Sequence, residues 1–188
     1  MSETAEIPQP EERPEQRIVE LRAYQVATNL QDFVALLTDA VSAGGSIGFH
    51  WPMADGEAEA YWRDVIAAMR GGGRHLLAAY EGGQLLGTVQ LDLAAKANAR
   101  HRAEVQKLLV LQHARRRGLG RRLMRAAEEL ALRLGRTLLV LDVRKDDPAQ
   151  RLYESFGFKV TGVVPRYAGD PDGKLCDCTF LYRELAAS

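Results

Sequence analysis

Residues 104–125 read EVQKLLVLQHARRRGLGRRLMR, and this stretch decides the fold. The apolar run Val105–Leu111 predicts a β-strand over 103–111. A short polar connection, residues 112–114, leads into Arg115-Arg116-Arg117-Gly118-Leu119-Gly120, and an amphipathic helix is expected over 119–134. A strand that runs through a glycine-containing turn into a helix makes an anion site. Gly118 and Gly120 let the backbone come close to a ligand, and the helix start offers unpaired N–H groups and the positive end of its dipole. Arginines at 115, 116, 117, 121 and 122 crowd the same point, and guanidinium groups give charge-assisted bonds to phosphate oxygens. The nucleotide P-loop pattern fails here, because no lysine-serine or lysine-threonine pair follows either glycine. The dinucleotide pattern is incomplete, since GLGRRL lacks its third glycine and comes late in the chain. A solvated basic face at a helix start is the plain alternative.

The chain has 188 residues, the length of one ordinary domain, with 46% apolar and 27% charged residues, which excludes a wholly disordered or collagen-like polymer. Its 25 basic and 25 acidic residues cancel, so no general attraction to nucleic acid or to an anionic membrane is implied, and phosphate binding must be local. Apolar runs such as Leu108–Leu111 are only four or five residues long, far short of a membrane span. No basic-then-apolar leader opens the chain, and Cys176 and Cys178 stand too close in an extended segment for an ordinary disulfide, so a reducing cytoplasmic compartment is expected. Residues 1–16 hold five glutamates and three prolines and are expected to form a disordered tail, leaving one domain over 17–188. Without the tail the chain carries 24 basic and 20 acidic residues, the excess gathered at Arg115–Arg125.

Working outward, a strand is expected over 18–26, helices over 29–42 and 56–70, and a hairpin from His75–Glu81 and Leu85–Leu93 across Gly82-Gly83. A further strand over 137–143 follows the long helix, and strand-helix-strand of this length implies a right-handed parallel crossover. Residues 158–164 and 175–183 close the domain as an antiparallel pair. The expected order is βααβββαβαββ, a mixed α/β (α+β) domain.

The signature Arg115–Gly120 resembles the R/Q-x-x-G-x-G/A motif of the GNAT superfamily of acyl-CoA-dependent N-acetyltransferases. Downstream, LLVLDV is similar to that family's fifth strand, and Pro148–Phe158 is similar to its A-x-x-L-Y-x-x-x-G-F segment. Over roughly residues 17–185, the runs HRAEVQKLLV and RGLGRRLM and a later tyrosine before PDGKL look most like the tabtoxin-resistance group. The resemblance implies a mostly antiparallel sheet with helices on both faces, whose parallel fourth and fifth strands splay apart. It implies acetyl-CoA as acyl donor, its pantetheine arm on the backbone at Leu109, Val110 and Leu111. Its pyrophosphate would sit on Arg115, Arg116, Arg117, Gly118, Leu119, Gly120 and Arg121, with further contacts at Asp146 and Ala149. Two positions depart from the family pattern. Gln112 stands where a proline often follows the fourth strand, and Asp146 where an asparagine is usual seven residues before the tyrosine.

Acetyl transfer to an amine needs a neutral nucleophile, donors for developing negative charge and a proton for the departing thiolate. Tyr153 matches the family's general-acid tyrosine, and a phenol stays protonated at neutral pH; spacing alone makes it equally a buried face residue with Ala149, Leu152 and Phe156. Glu104 begins the fourth strand, where histone-acetylating members carry a base. Asp142 ends LLVLD, where the tabtoxin-resistance group has the tyrosine's partner. Either is a candidate base, and each is also an ordinary strand-end carboxylate. Acceptor contacts are expected from Phe49 and Trp51 in the loop 44–53 and from Tyr167 in the connection 166–174. His50, His75, His101 and His113 show no metal-ligand spacing, and no metal is expected.

The expected function is acetyl transfer from acetyl-CoA to a primary amine of a small molecule, amino-acid-like or an antibiotic, by direct attack in a ternary complex. No nucleic-acid or membrane partner is expected, and a homodimer is the expected form of any oligomer. A non-catalytic CoA-binding module and a protein N-acetyltransferase are the alternatives.

Overall fold

In the computed structural model, residues 15–45, 47–170 and 173–186 are described. The elements run β1 (Gln16–Leu21), α1 (Ala23–Thr28), α2 (Leu30–Ser42), α3 (Glu57–Arg70), β2 (Arg74–Glu81), β3 (Gln84–Leu93), β4 (Arg102–Val110), α4 (Leu119–Arg133), β5 (Leu138–Arg144), α5 (Ala149–Ser155), β6 (Lys159–Gly169) and β7 (Leu175–Glu184). The strands form one sheet in the order β1-β2-β3-β4-β5-β7-β6. Every neighbouring pair is antiparallel except β4 with β5.

Helices cover both faces, and each face has its own core. On one, Leu119, Leu123, Met124, Ala127, Leu130 and Ala131 form the buried stripe of α4 and pack on Val105, Leu139 and Leu141. On the other, Phe33 and Leu37 of α2 and Trp62 and Val65 of α3 pack on Leu76 and Ala78, with the Phe33 and Trp62 rings 5.0 Å apart. The strands β2 and β3 are sandwiched between the layers, so they read as near-continuous apolar runs rather than alternating ones. The hairpin turn joining them falls on Gly82 and Gly83, whose φ angles are +56° and +85°, the positive pair such a turn demands.

The expected strand over 18–26 is corrected: β1 stops at Leu21, and residues 23–28 are helical. The Arg22 amide donates to Gln25 Oε1 at 2.8 Å, which caps the first turn, and the turn carries Val26 fully into the core beside α3. The order is therefore βαααβββαβαββ. The last hairpin is also longer than expected, since β6 continues to Gly169 past shifts of register at residues 160–162 and 164–168. Residues 1–14, most of the expected tail, lie outside the described residues. No helix among the described residues is long and apolar enough to cross a membrane.

Candidate active site

The parallel pair that should zip the two halves of the sheet together is short. Arg102, Ala103 and Glu104 pair with Leu138, Leu139 and Val140, and there the β4–β5 pairing ends, although β4 runs on to Val110 and β5 to Arg144. The cause lies in β4. Gln106 is opposite Gln90 and Leu109 opposite Thr88, so β4 holds two residues where β3 holds one, and Lys107 in that bulge has φ +48°. Beyond it β4 stays with β3 while β5 stays with β7 through Arg144, leaving a wedge-shaped opening whose vertex is Glu104.

At the α4 end of the opening, Gly118 caps the helix at φ +79°, which a side chain would strain. No side chain caps this helix start. The first chain bond there runs from the Arg122 amide to Gly118 O, so the amides of Leu119, Gly120 and Arg121 have no acceptor among the described residues. A Cβ on Gly120 would stand 3.4 Å from the Leu152 side chain of α5, so the small residue lets α5 lie against the helix start.

The arginines divide. Arg116, itself at φ +59°, has no partner among the described residues. Arg121 reaches toward α5, with Nη2 3.2 Å from Ser155 Oγ and the guanidinium 5.4 Å from the Phe156 ring centre. Arg115 Nε turns back to Val110 O at 3.0 Å. Arg117 pairs with Glu81 at 2.5 Å and Arg122 binds Gln16, both toward the β1–β2 side. Free amides with two cations over them suit a diphosphate, so the residues fit a CoA thioester. Of the three positions at the end of β4 and just past it that were expected to line the pantetheine arm, Leu109 is buried, the Leu111 amide is taken by Leu86 O, and the Val110 carbonyl by Arg115. Gln112, standing in place of a proline, uses the amide a proline lacks: its N–H donates to Asp39 Oδ2 at 2.9 Å and ties this connection to α2.

Tyr153 projects from α5 against Phe158, ring centres 6.0 Å apart, and its hydroxyl makes no hydrogen bond to a described residue. Burial, reinforced by the charges of Asp147 and Asp142, pushes its pKa up to about 12. Asp142 lies between Leu141 and Val143, which are buried toward α4, so its carboxylate projects from the opposite face. Burial by its neighbours raises its pKa, and the Lys107 charge and its own backbone amide pull the other way. Glu104 shares that face and accepts a bond from Gln106 Nε2 at 2.8 Å. Asp146 has φ +66° and no side-chain partner, whereas its neighbour Asp147 accepts the Ala149 amide at 2.8 Å and starts α5. The Ala149 amide is thereby already occupied.

A cleft of about 570 Å³ opens on the face that carries Asp142 and Glu104, between the loop 44–51, Arg144 and residues 168–170 of the last hairpin. Phe49 and Trp51 line it, and Trp51 is half exposed. Tyr167 does not line it; its ring stands edge-on to Phe180 at 5.0 Å. Arg144 Nη2 pairs with Asp170 at 2.6 Å in the cleft wall. Among the described residues no group of three or more His, Cys, Asp and Glu is placed to hold a metal ion.

One residue of this region was not singled out from the sequence. Lys107 sends its ammonium across from the bulge to Ile47 O at 2.7 Å, with the Phe49 and Tyr61 rings 5.6 and 5.5 Å from its nitrogen. The signal was present: Gln106-Lys107 followed by Leu108-Leu109 breaks the alternation of a strand, as an inserted residue does.

Residues 47–158 match the model of the acetyltransferase (GNAT) family. An uncharacterised N-acetyltransferase from the hisH-hisA intergenic region of Azospirillum brasilense is 36% identical over 124 residues, 65% of this chain and 72% of that one. Among solved structures, an N-acetyltransferase from Staphylococcus aureus superposes with a TM-score of 0.75 at 18% identity, covering 92% of this chain and 99% of that one. A Salmonella typhimurium protein described as an acetyltransferase, solved with its cofactor acetyl-CoA, superposes with a TM-score of 0.74 at 22% identity over 92% and 95% of the two chains. At these identities the structures establish the shared fold.

Proposed function

The chain belongs to the GNAT acetyltransferase family, and from that premise we propose that it transfers acetyl from acetyl-CoA to a primary amine of a small molecule by direct attack in a ternary complex. The observation that carries this reading is the opening between β4 and β5. It has free helix-start amides at one end, Asp142 and Glu104 on one face of its two walls, and on α5 the unengaged hydroxyl of Tyr153, whose pKa the Asp142 charge helps to raise. Acetyl-CoA, when bound, supplies an activated thioester carbonyl. The loop 115–121 holds the diphosphate through the amides of Leu119, Gly120 and Arg121 and the side chains of Arg116 and Arg121. Asp142 takes the proton of the amine that arrives from the cleft, with Glu104 at the vertex as the second carboxylate of the same face. Tyr153 gives its proton to the departing thiolate. A phenol with a pKa near 12 keeps that proton throughout the physiological range, and its hydroxyl is not engaged elsewhere.

A small acceptor suits the cleft, whose volume of about 570 Å³ falls within the range of small-molecule sites and whose aromatic lining is Phe49 and Trp51. An acyl-enzyme through cysteine is disfavoured. Cys178 is buried, and burial together with the Asp142 charge raises its thiol pKa, while Cys176 Sγ lies 3.3 Å from Ala168 O.

The test is an acceptor panel of amino acids, aminoglycosides, polyamines and peptides, incubated with protein and acetyl-CoA and followed by thiol release and product mass. The reading expects a small amine to gain 42 mass units, roughly the mass of an acetyl group in place of hydrogen. Release of CoA only with peptides would move the acceptor to protein. CoA binding without release under any condition would reduce the chain to a binding module.

A further inference from the structure

We infer that Lys107 is a positioning residue for the transfer step: its ammonium ties the acceptor loop to the bulge of β4 and places a fixed positive charge toward Asp142 in the opening. The inference rests on the acetyltransferase reading above and adds to it a residue that the family signature does not contain.

Four observations meet at this side chain. The backbone of Lys107 takes a left-handed conformation that a lysine adopts at a cost, in the bulge that ends the β4–β5 pairing. Its ammonium donates to the Ile47 carbonyl and lies 3.7 Å from where a Cβ on Gly48 would stand, so it braces the loop that carries Phe49 into the cleft. The Phe49 and Tyr61 rings, set edge to face 5.3 Å apart, flank the cation and shield it from water. Finally, no carboxylate comes within ion-pair distance of it among the described residues, so the charge acts on its surroundings through space and two of its three N–H donors have no acceptor.

The charged groups facing Lys107 are Arg74 of β2, Asp142 of β5 and Glu104 of β4, with Tyr61 of α3 against it. Those facing Asp142 are Lys107, Tyr153 of α5 and Cys178 of β7. Among the shifts these groups produce, burial and Arg74 lower the lysine's pKa while both carboxylates support its charge. Lys107 is the cation that opposes the burial of Asp142. A general base in the opening must be ionised to accept a proton, and a fixed ammonium nearby favours that form against the larger effect of burial.

The test compares Lys107→Met, which keeps the stem and removes the charge, with Lys107→Arg, which keeps the charge. Carboxyl ¹³C resonances of the full-length chain are titrated, with Asp142 assigned from the spectrum of Asp142→Asn. In Lys107→Met the Asp142 midpoint should move to higher pH, and in Lys107→Arg it should stay near the wild-type position. The acidic limb of kcat/KM should follow it to higher pH, so that the loss relative to wild type is greatest at the acid end of the profile and shrinks severalfold once the pH passes above the limb. The KM for the amine should also rise in Lys107→Met, because the Ile47 tether is gone.

Lys107→Gln repeats the test if the methionine variant misfolds, with an unchanged amide spectrum of the sheet as the criterion of folding. An Asp142 midpoint that does not move in a folded, uncharged variant overturns the inference, and so does a loss of activity equal at every pH. If the wild type transfers acetyl but Asp142 titrates unchanged, only the role of Lys107 fails. If the wild type transfers acetyl to no amine, the reaction reading fails with it.

Discussion

Replacing Tyr153 by phenylalanine deletes one oxygen atom from the centre of the proposed chemistry and leaves almost everything else in place. The ring keeps its contact with Phe158, and the lost hydroxyl takes no hydrogen bond with it, because it makes none to a described residue. Stability should therefore change by less than roughly 0.5 kcal/mol, since no buried partner is orphaned. The catalytic effect should be much larger. Burial and the charges of Asp147 and Asp142 hold the phenol protonated up to about pH 12, so the wild type has its acid in the working form at every pH an assay can use. General acid catalysis contributes about 10²–10⁴ in rate, or about 3–5 kcal/mol of barrier. The expected outcome is a fall of that size in kcat, measured by thiol release at saturating acetyl-CoA and amine, with the calorimetric Kd for acetyl-CoA and the Tm unchanged. A loss in kcat of less than about threefold would remove Tyr153 from the proton path. A large drop in cofactor affinity together with Tm would make it a packing residue of α5.

The arginines should separate by their partners. Arg116→Ala should weaken acetyl-CoA binding about tenfold, the worth of one charge-assisted bond, whereas Arg117→Ala, which breaks only the exposed pair with Glu81, should leave the Kd within about twofold. Equal effects in calorimetry would contradict this assignment of the loop. Trp51→Ala, at a half-exposed position in the cleft wall, should raise the KM of the amine severalfold and leave Tm and the acetyl-CoA Kd alone; an unchanged amine KM would move the acceptor elsewhere. Burial raises the pKa of Asp142 in the folded chain, so the fold favours its protonated form. The stability this gives is fully present below the ordinary aspartate range and is lost as pH rises through the raised folded value. Asp142→Asn should accordingly melt above wild type at pH 7.5, with the gap closing toward pH 3; a gap that is the same at both pH values would show that ionisation has no part in it.

Much of the frame was legible because it follows from local patterning. The apolar stripe from Leu119 to Ala131, the paired glycines of the β2–β3 turn and the strand-loop-helix passage at Arg115–Gly120 each have one stable solution. The segment at Tyr24–Val26 did not, since its apolar residues serve a strand or a helix equally. The choice falls to Gln25 capping Arg22 and to the space for Val26 beside α3, both settled only when the chain folds back on itself. The resemblance drew attention to Tyr153, Glu104 and Asp142; that Glu104 and Asp142 share one face follows from the β4–β5 register, which local patterning does not specify. Lys107 escaped because a lysine in a strand ordinarily points to water. What turns it inward is the bulge, and the rings that flank it come from residues 49 and 61, far off in sequence.

Amide hydrogen exchange, resolved to single residues with and without acetyl-CoA, tests the site most directly. Leu119, Gly120 and Arg121 have no acceptor among the described residues, so they should exchange quickly in the free protein and slow by about a hundredfold or more when saturated. Unchanged exchange at these three amides under saturation, with protection appearing elsewhere, would contradict the placement of the diphosphate at the start of α4.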